Sequence, residues 1–231
     1  MSLITVQDVK KIYNGGEGEV TALGGITFEV TEGEFVALMG PSGSGKSTLL
    51  TMLGAMNPPT TGAIVIDDID VYQLTSEKRA DFRSEYLGFV FQQFQLVPYL
   101  TAMENVMLPL AITGKSNREQ ADMAANVLHK VGLEGKENRL PNQLSGGEQE
   151  RVAIARAIVN EPPILFADEP TGALDSKNSE EIMNLFKALN AEGQTIIMVT
   201  HNPEFLADVK RAIFIKDGLL DESSQGKKVA V

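Results

Sequence analysis

No cysteine occurs in this chain of 231 residues, and aromatic residues make up only 6% of it. Without cysteine there are no disulfides, no thiolate metal sites and no thiol nucleophile, as in proteins of a reducing compartment. Positive charge is also scarce, with Lys plus Arg at 20 against Asp plus Glu at 31 and a net charge of -11. No run of Lys or Arg is long enough to build a basic stripe, so no nucleic-acid partner is expected. Apolar runs are short, and Lys, Asp or Pro interrupts them well before membrane-spanning length. Met1–Asp8 has neither a basic start nor a long apolar core, so no signal peptide is expected. Any membrane association is therefore expected to come through a partner. There is no internal repeat and no low-complexity segment.

What is present is 43% hydrophobic and 22% charged, the composition of an ordinary globular domain. The length suits one core with an appended lobe. Strand-like stretches at residues 4–13, 26–30, 35–39, 63–66 and 88–91 fill the first part, with an irregular loop expected over Asn14–Gly18 and a charged helix over Ser76–Tyr86. From Gln93 to about Asn160 strands vanish, and helices are predicted over 102–111, 117–131 and 148–159. His129, near the end of the second, reads as an exposed or charge-complementing residue. Alternation then returns, with strands at 164–167, 195–199 and 212–215, helices at 179–189 and 203–208, and a hairpin turn at Asp217-Gly218. The expectation is a single α/β domain with a core over about 1–92 and 161–220. A helical lobe is inserted over about 93–160, and the polar tail 221–231 is expected to fray.

The strand Phe35–Met39 leads into Gly40-Pro41-Ser42-Gly43-Ser44-Gly45-Lys46-Ser47-Thr48, with Leu49 and Leu50 after it. This is a phosphate-loop pattern in its required strand–loop–helix setting. Its glycines let backbone N–H groups turn inward on a polyphosphate, and the following helix adds unpaired donors and the positive end of its dipole. Lys46 is placed to reach the outer phosphates and the Ser47 hydroxyl to ligate Mg²⁺. A Gly/Ser-rich surface turn would need neither residue at those offsets.

Two other apolar strands also end in chemistry: Ile164–Ala167 at Asp168-Glu169, and Thr195–Thr200 at His201. Ligands of open parallel sheets sit at the carboxyl ends of strands. Asp168 is expected to face the Mg²⁺ site, and Glu169, if the chain turns there, to position and deprotonate a water attacking a γ-phosphate. Alone, such an acidic pair would read as a solvated turn or a helix cap. In Leu144-Ser145-Gly146-Gly147-Glu148-Gln149-Glu150-Arg151, Ser145 with Glu148 forms a capping box. Capping does not account for Gly146 and Gly147, which weaken a first helical turn. Bare backbone at a helix start suits a second phosphate-facing surface.

Together these stretches resemble the nucleotide-binding subunits of ATP-binding cassette transporters over nearly the whole chain. Gly40–Ser47 looks like the Walker A motif, Leu144–Gln149 like the family signature and Ile164–Glu169 like Walker B. Gln92 matches the Q-loop glutamine, Ala173-Leu174-Asp175 the D-loop and His201 the switch histidine, and Tyr13 stands where the family has an adenine-stacking aromatic. Glu148 departs from the commoner glutamine, and Glu137–Pro141 looks shorter than in many relatives. The resemblance implies a P-loop NTPase core, mainly a parallel sheet with helices on both faces, an antiparallel N-terminal β part and the helical lobe. It implies ATP and Mg²⁺ as ligands, with Ser47, Gln92 and Asp168 at the metal, and Glu169, His201, Gln92 and Lys46 in catalysis. It also implies a head-to-tail pair of chains around two ATP molecules, in which Ser145, Gly146, Gly147 and Asp175 of each chain serve the other's site. The stretch Gly88–Pro98 with Leu100–Val106 looks like the lipoprotein-release, macrolide-export and cell-division branch. For that branch an integral membrane transporter subunit is expected to dock near Gln92–Leu100, with Phe94, Leu96, Pro98, Tyr99 and Leu100 forming either its groove or the lobe's own core. The chain would then lie on the cytoplasmic face of the cell membrane. A cassette ATPase acting as an assembly or scaffold component is the alternative, whereas a small-molecule P-loop kinase has no use for Ser145-Gly146-Gly147.

Overall fold

A computed structural model describes residues 2–15 and 18–221, so most of the polar tail lies outside the described residues. Contacts divide the chain into two compact units, residues 1–83 with 190–231, and residues 84–189. In the first unit β1 (Ser2–Gly15) and β2 (Gly18–Thr31) form a long antiparallel hairpin, flanked by β4 (Thr61–Ile66) and the short β5 (Ile69–Asp70) in the order β2-β1-β4-β5. The loop expected over Asn14–Gly18 is thus mostly strand, since Gly15 pairs with Gly18; Gly16 and Glu17 lie outside the described residues. The buried positions of β1, Ile4, Val6 and Val9, change parity after Val6. An extra residue has to be absorbed there, and Asp8 takes it with φ 43 at a break in register.

The same unit holds β3 (Phe35–Met39), buried at every position as in a parallel sheet covered on both faces, and paired in parallel to β8 (Thr195–Val199) and to β9 (Arg211–Lys216). Asp217 and Gly218, both at positive φ, close the hairpin from β9 to β10 (Leu219–Leu220). Helix α1 (Lys46–Leu53) follows β3. Tyr72 ties its far end, donating or sharing its hydroxyl with Met52 O at 2.7 Å and Asn57 O at 2.8 Å. Helix α2 (Ser76–Tyr86) runs to the second unit.

In the second unit β6 (Leu87–Val90) pairs in parallel with β7 (Ile164–Asp168), and α5 (Gly146–Ile158) packs on β6. Helices α3 (Ala102–Met107), α4 (Asn117–Lys130) and α5 pack on one another through Val106, Ala124, Leu128, Val152 and their neighbours. Three capping boxes start them: Thr101 with Glu104, Ser116 with Glu119, and Ser145 with Glu148. The helix expected over 102–111 ends at Met107 because Pro109 lacks the N–H to continue it, and a 3-10 turn covers Leu108–Ile112. His129, in the last turn of α4, is exposed and lies 3.4 Å from Glu134. The unit ends in α6 (Ser176–Ala191).

Candidate functional site

The phosphate loop belongs to the first unit. Gly40 leaves β3 at φ 148, and a Cβ there would lie 2.0 Å from the carbonyl oxygen of Ile215, so only glycine permits this exit. Gly45 caps α1 in the left-handed conformation, without a side-chain cap and with no acidic residue in the first turn. The helix start therefore keeps its backbone donors and its positive end for an anion. Lys46, the first helical residue, is buried, and its ammonium donates to Gly40 O at 2.9 Å and Pro41 O at 2.8 Å. The Ser44 hydroxyl is buried and makes no hydrogen bond. A buried orphan hydroxyl and a buried ammonium inside one glycine-bounded loop fit a phosphate group. His201 follows β8, whose neighbour is β3; Thr200 N donates to Leu38 O at 3.2 Å, so the loop and the imidazole leave adjacent strand ends. Tyr13 is half-exposed on β1, with Asn57 Nδ2 donating to its hydroxyl at 2.8 Å and the Lys11 ammonium 5.1 Å from its ring centre.

The second unit carries the carboxylates, the glutamine and the helix start. Val90 pairs with Ala167, so Gln92 and Glu169 leave two neighbouring strands side by side. The Gln92 amide donates to Glu169 Oε2 at 3.2 Å. Asp168 is the last residue of β7, while Glu169 turns to φ 48, so the two carboxylates are not bound to the alternation of a strand. Helix α5 begins at Gly146, earlier than the sequence suggested, with Ser145 as its N-cap. Glu148 completes the box by accepting from Ser145 N at 2.8 Å and pairs with Lys136 through its other oxygen. Those contacts, Lys136 first, hold its carboxyl below the usual range. A Cβ on Gly147 would lie 2.4 Å from Asn178 Oδ1, so glycine there leaves room for the Asn178 amide in the position it holds. Asn178 in turn binds Asp175, its N–H donating to Oδ1 and its Nδ2 to Oδ2, both at 2.8 Å. These bonds, the N–H first, hold the Asp175 carboxyl below its usual range.

Beside Gln92 lies a mostly apolar cleft of about 290 Å³, lined by Leu87, Phe89, Phe91, Gln95, Pro109 and Arg156 among others. Phe89 stacks with Phe91 and with Phe166, with ring centres at 5.8 and 5.1 Å. Of the stretch Gln92–Leu100 only Gln95 lines it; Phe94, Leu96, Pro98, Tyr99 and Leu100 do not. Asn105, fully buried, holds that stretch by bonding Val97, Leu100 and Thr101. Two residues of α5 escaped the sequence reading. Glu150 is fully buried with both carboxylate oxygens unpartnered, and burial, opposed by Arg156, raises its pKa to about 8. Arg156 forks onto two backbone carbonyls, Phe94 O at 2.8 Å and Gln95 O at 2.5 Å.

The model of the ABC transporter family matches residues 23–172. The chain belongs to that family. It is 46% identical over 98% of its length to the ABC transporter ATP-binding protein YknY of Bacillus subtilis, 98% of which is covered. It is 48% identical to the macrolide export ATP-binding/permease protein MacB of Syntrophobacter fumaroxidans, matching 97% of this chain and 32% of that one. Among solved structures, a dimer of the cassette MJ0796 in a post-hydrolysis state with ADP and Pi superposes with a TM-score of 0.87 at 46% identity, covering 95% of this chain and 97% of that one. The relative of that name is from Methanocaldococcus jannaschii. The fold of this ABC cassette is accordingly the α/β fold of the P-loop NTPases, and the chain is an ATP-binding subunit of the ABC type. No helix among the described residues is long and apolar enough to cross a membrane.

Proposed function

We propose that this cassette is the ATP-hydrolysing motor of a membrane complex in the export, lipoprotein-release or mechanotransmission branch. The observation that carries the reading is the Gln92–Glu169 hydrogen bond at 3.2 Å, formed where two parallel strands end and beside the cleft. It joins the proton acceptor to the loop that a partner in the cleft would touch. MacB supports the same reading, since it joins an ATP-binding part to a permease in one protein.

Tyr13 stacks on adenine, Gly40–Thr48 wrap the phosphates, and Lys46 neutralises the outer two. Two chains close head to tail over two ATP molecules, each offering the other Ser145, Gly146, Gly147 and Asp175. Glu169 accepts a proton from water as its oxygen attacks the γ-phosphorus; the bond to the β–γ bridging oxygen breaks, leaving ADP and phosphate. His201 holds the γ-phosphate. A hydroxyl, a carboxylate and an amide oxygen are the hard donors Mg²⁺ prefers. Ser47, Asp168 and Gln92 would hold the ion, which supplies charge neutralisation on the phosphates. An integral membrane subunit docks at the cleft near Gln92–Leu100, keeping the cassette on the cytoplasmic face, and closure and reopening of the pair drive it.

Glu169→Gln tests this. It keeps shape and removes the proton acceptor, so turnover should fall about a hundred- to ten-thousand-fold while ATP affinity holds. ATP should then trap a dimer, seen by gel filtration. Near-normal turnover would exclude Glu169 as the base.

A further inference from the structure

The loop that carries Gln92 is bent unfavourably. Phe94 and Gln95 sit consecutively in the left-handed region, at φ 54 and 51, where side chains other than glycine's are strained. Their N–H groups donate within the turn, Phe94 to Phe91 O and Gln95 to Gln93 O, and their carbonyls are held by the Arg156 guanidinium, which donates from Nη2 to Phe94 O and from Nη1 to Gln95 O. The planar guanidinium gives each carbonyl its own nitrogen in a fixed geometry, which a single ammonium does not. The bend has two ends. On one side Gln92 reaches Glu169. On the other the Phe94 ring comes to 3.9 Å from where a Cβ on Gly146 would stand, at the first residue of α5. Glu150, on the same helix as Arg156, is fully buried, and burial favours its neutral form at neutral pH, so the fork stays with the carbonyls.

We propose that Arg156 is a positioning residue that latches the strained Phe94-Gln95 bend, setting Gln92 against Glu169 and Phe94 against Gly146 through one loop. The latch deepens the motor reading above and rests on it for the role of Gln92. The loop then links the carboxylate that serves a chain's own ATP to the helix start that serves its partner's. Arg156 also lines the cleft, so an occupant there meets the latch directly.

The test uses the full chain with Mg-ATP. Arg156→Ala should lower kcat on the order of tenfold, the fold-change expected when one strained residue is left unsupported, with KM for ATP nearly unchanged. Hydrogen exchange should quicken across residues 92–98 and stay unchanged in α5, which also shows that the variant is folded. Arg156→Lys should fall between wild type and alanine. The decisive arm is Gln95→Gly in the Arg156→Ala background. Glycine accepts the left-handed conformation without strain, so turnover should recover towards that of Gln95→Gly alone, whereas a lost packing contact would not be mended. Unchanged exchange over 92–98, unchanged kcat, or no rescue by glycine would each overturn the latch. Gln92→Ala with wild-type turnover would instead end the catalytic reading of Gln92, and the exchange measurement would still decide the latch.

Discussion

Replacing Glu150 should change how the stability of this cassette depends on pH. Unfolded, the carboxyl loses its proton near 4.5; folded, burial lets it keep the proton until about 8. Between those values the native protein binds one more proton than the unfolded chain, so stability falls as pH rises through the window and levels off above it. At about 1.4 kcal/mol per pH unit, holding that proton costs roughly 3 kcal/mol at neutral pH. Glu150→Met has similar length, no titration and no orphan polar atoms, so its gain over wild type should grow steadily from pH 5 to pH 8. Glu150→Gln also removes the titration but leaves an unpaired amide, a penalty of about 1–3 kcal/mol relative to methionine. Urea unfolding of the three proteins at several pH values in that range measures all of this as differences in midpoint. Parallel pH profiles for wild type and Glu150→Met would mean that Glu150 ionises as an ordinary glutamate, and the argument from its burial would fall.

Lys46→Ala should abolish tight Mg-ATP binding in calorimetry if the ammonium in the phosphate loop neutralises the outer phosphates. Tyr13→Ala should weaken ATP by about 1–2 kcal/mol if the ring stacks on adenine, within the range for base–aromatic stacking. Ser145→Arg should leave ATP binding by the monomer intact and abolish ATP-dependent pairing in gel filtration; normal turnover would reduce Ser145 to a helix cap. Tyr72→Phe should cost about 1–2 kcal/mol in thermal unfolding, since the hydroxyl joins Met52 O to Asn57 O. Burial raises the phenol's pKa beyond the ordinary range, so its absorbance should not titrate at pH 10–11.

Much of this was readable from residue order because the decisive signals are local. Gly40–Ser47 carries its own strand and helix, and Ser145 announces α5 through Glu148, three residues on. The box also sets the start of α5 at Gly146: the cap is residue 145, so both glycines lie inside the helix, where composition alone argued against them. What stayed hidden depends on pairings across long stretches of chain. The cleft draws on residues 84–95, 109 and 156–160, and no window of sequence holds all three. Gln92 meets Glu169 only because the register of β6 on β7 brings them together. Glu150, in a run of Glu-Gln-Glu-Arg, looks solvated until the packing of α5 buries it. Two-residue strands such as β5 and β10 are too short to show any period.

The Asn178 amide, filling the space a side chain at 147 would need, limits how cassettes of this kind can be recombined. A crossover between residues 147 and 178 would join a helix start from one parent to an amide from the other. A parent bearing more than a hydrogen at 147 would have to displace the Asn178 amide, and with it the bond from that amide to Asp175. Crossovers before Leu144 or beyond Ser179 carry the matched faces together, and with them the Asp175 carboxylate that Asn178 orients. Libraries that randomise the signature one position at a time test 147 only against a fixed Asn178 amide, and only joint variation of 147 and 178 separates packing from phosphate recognition.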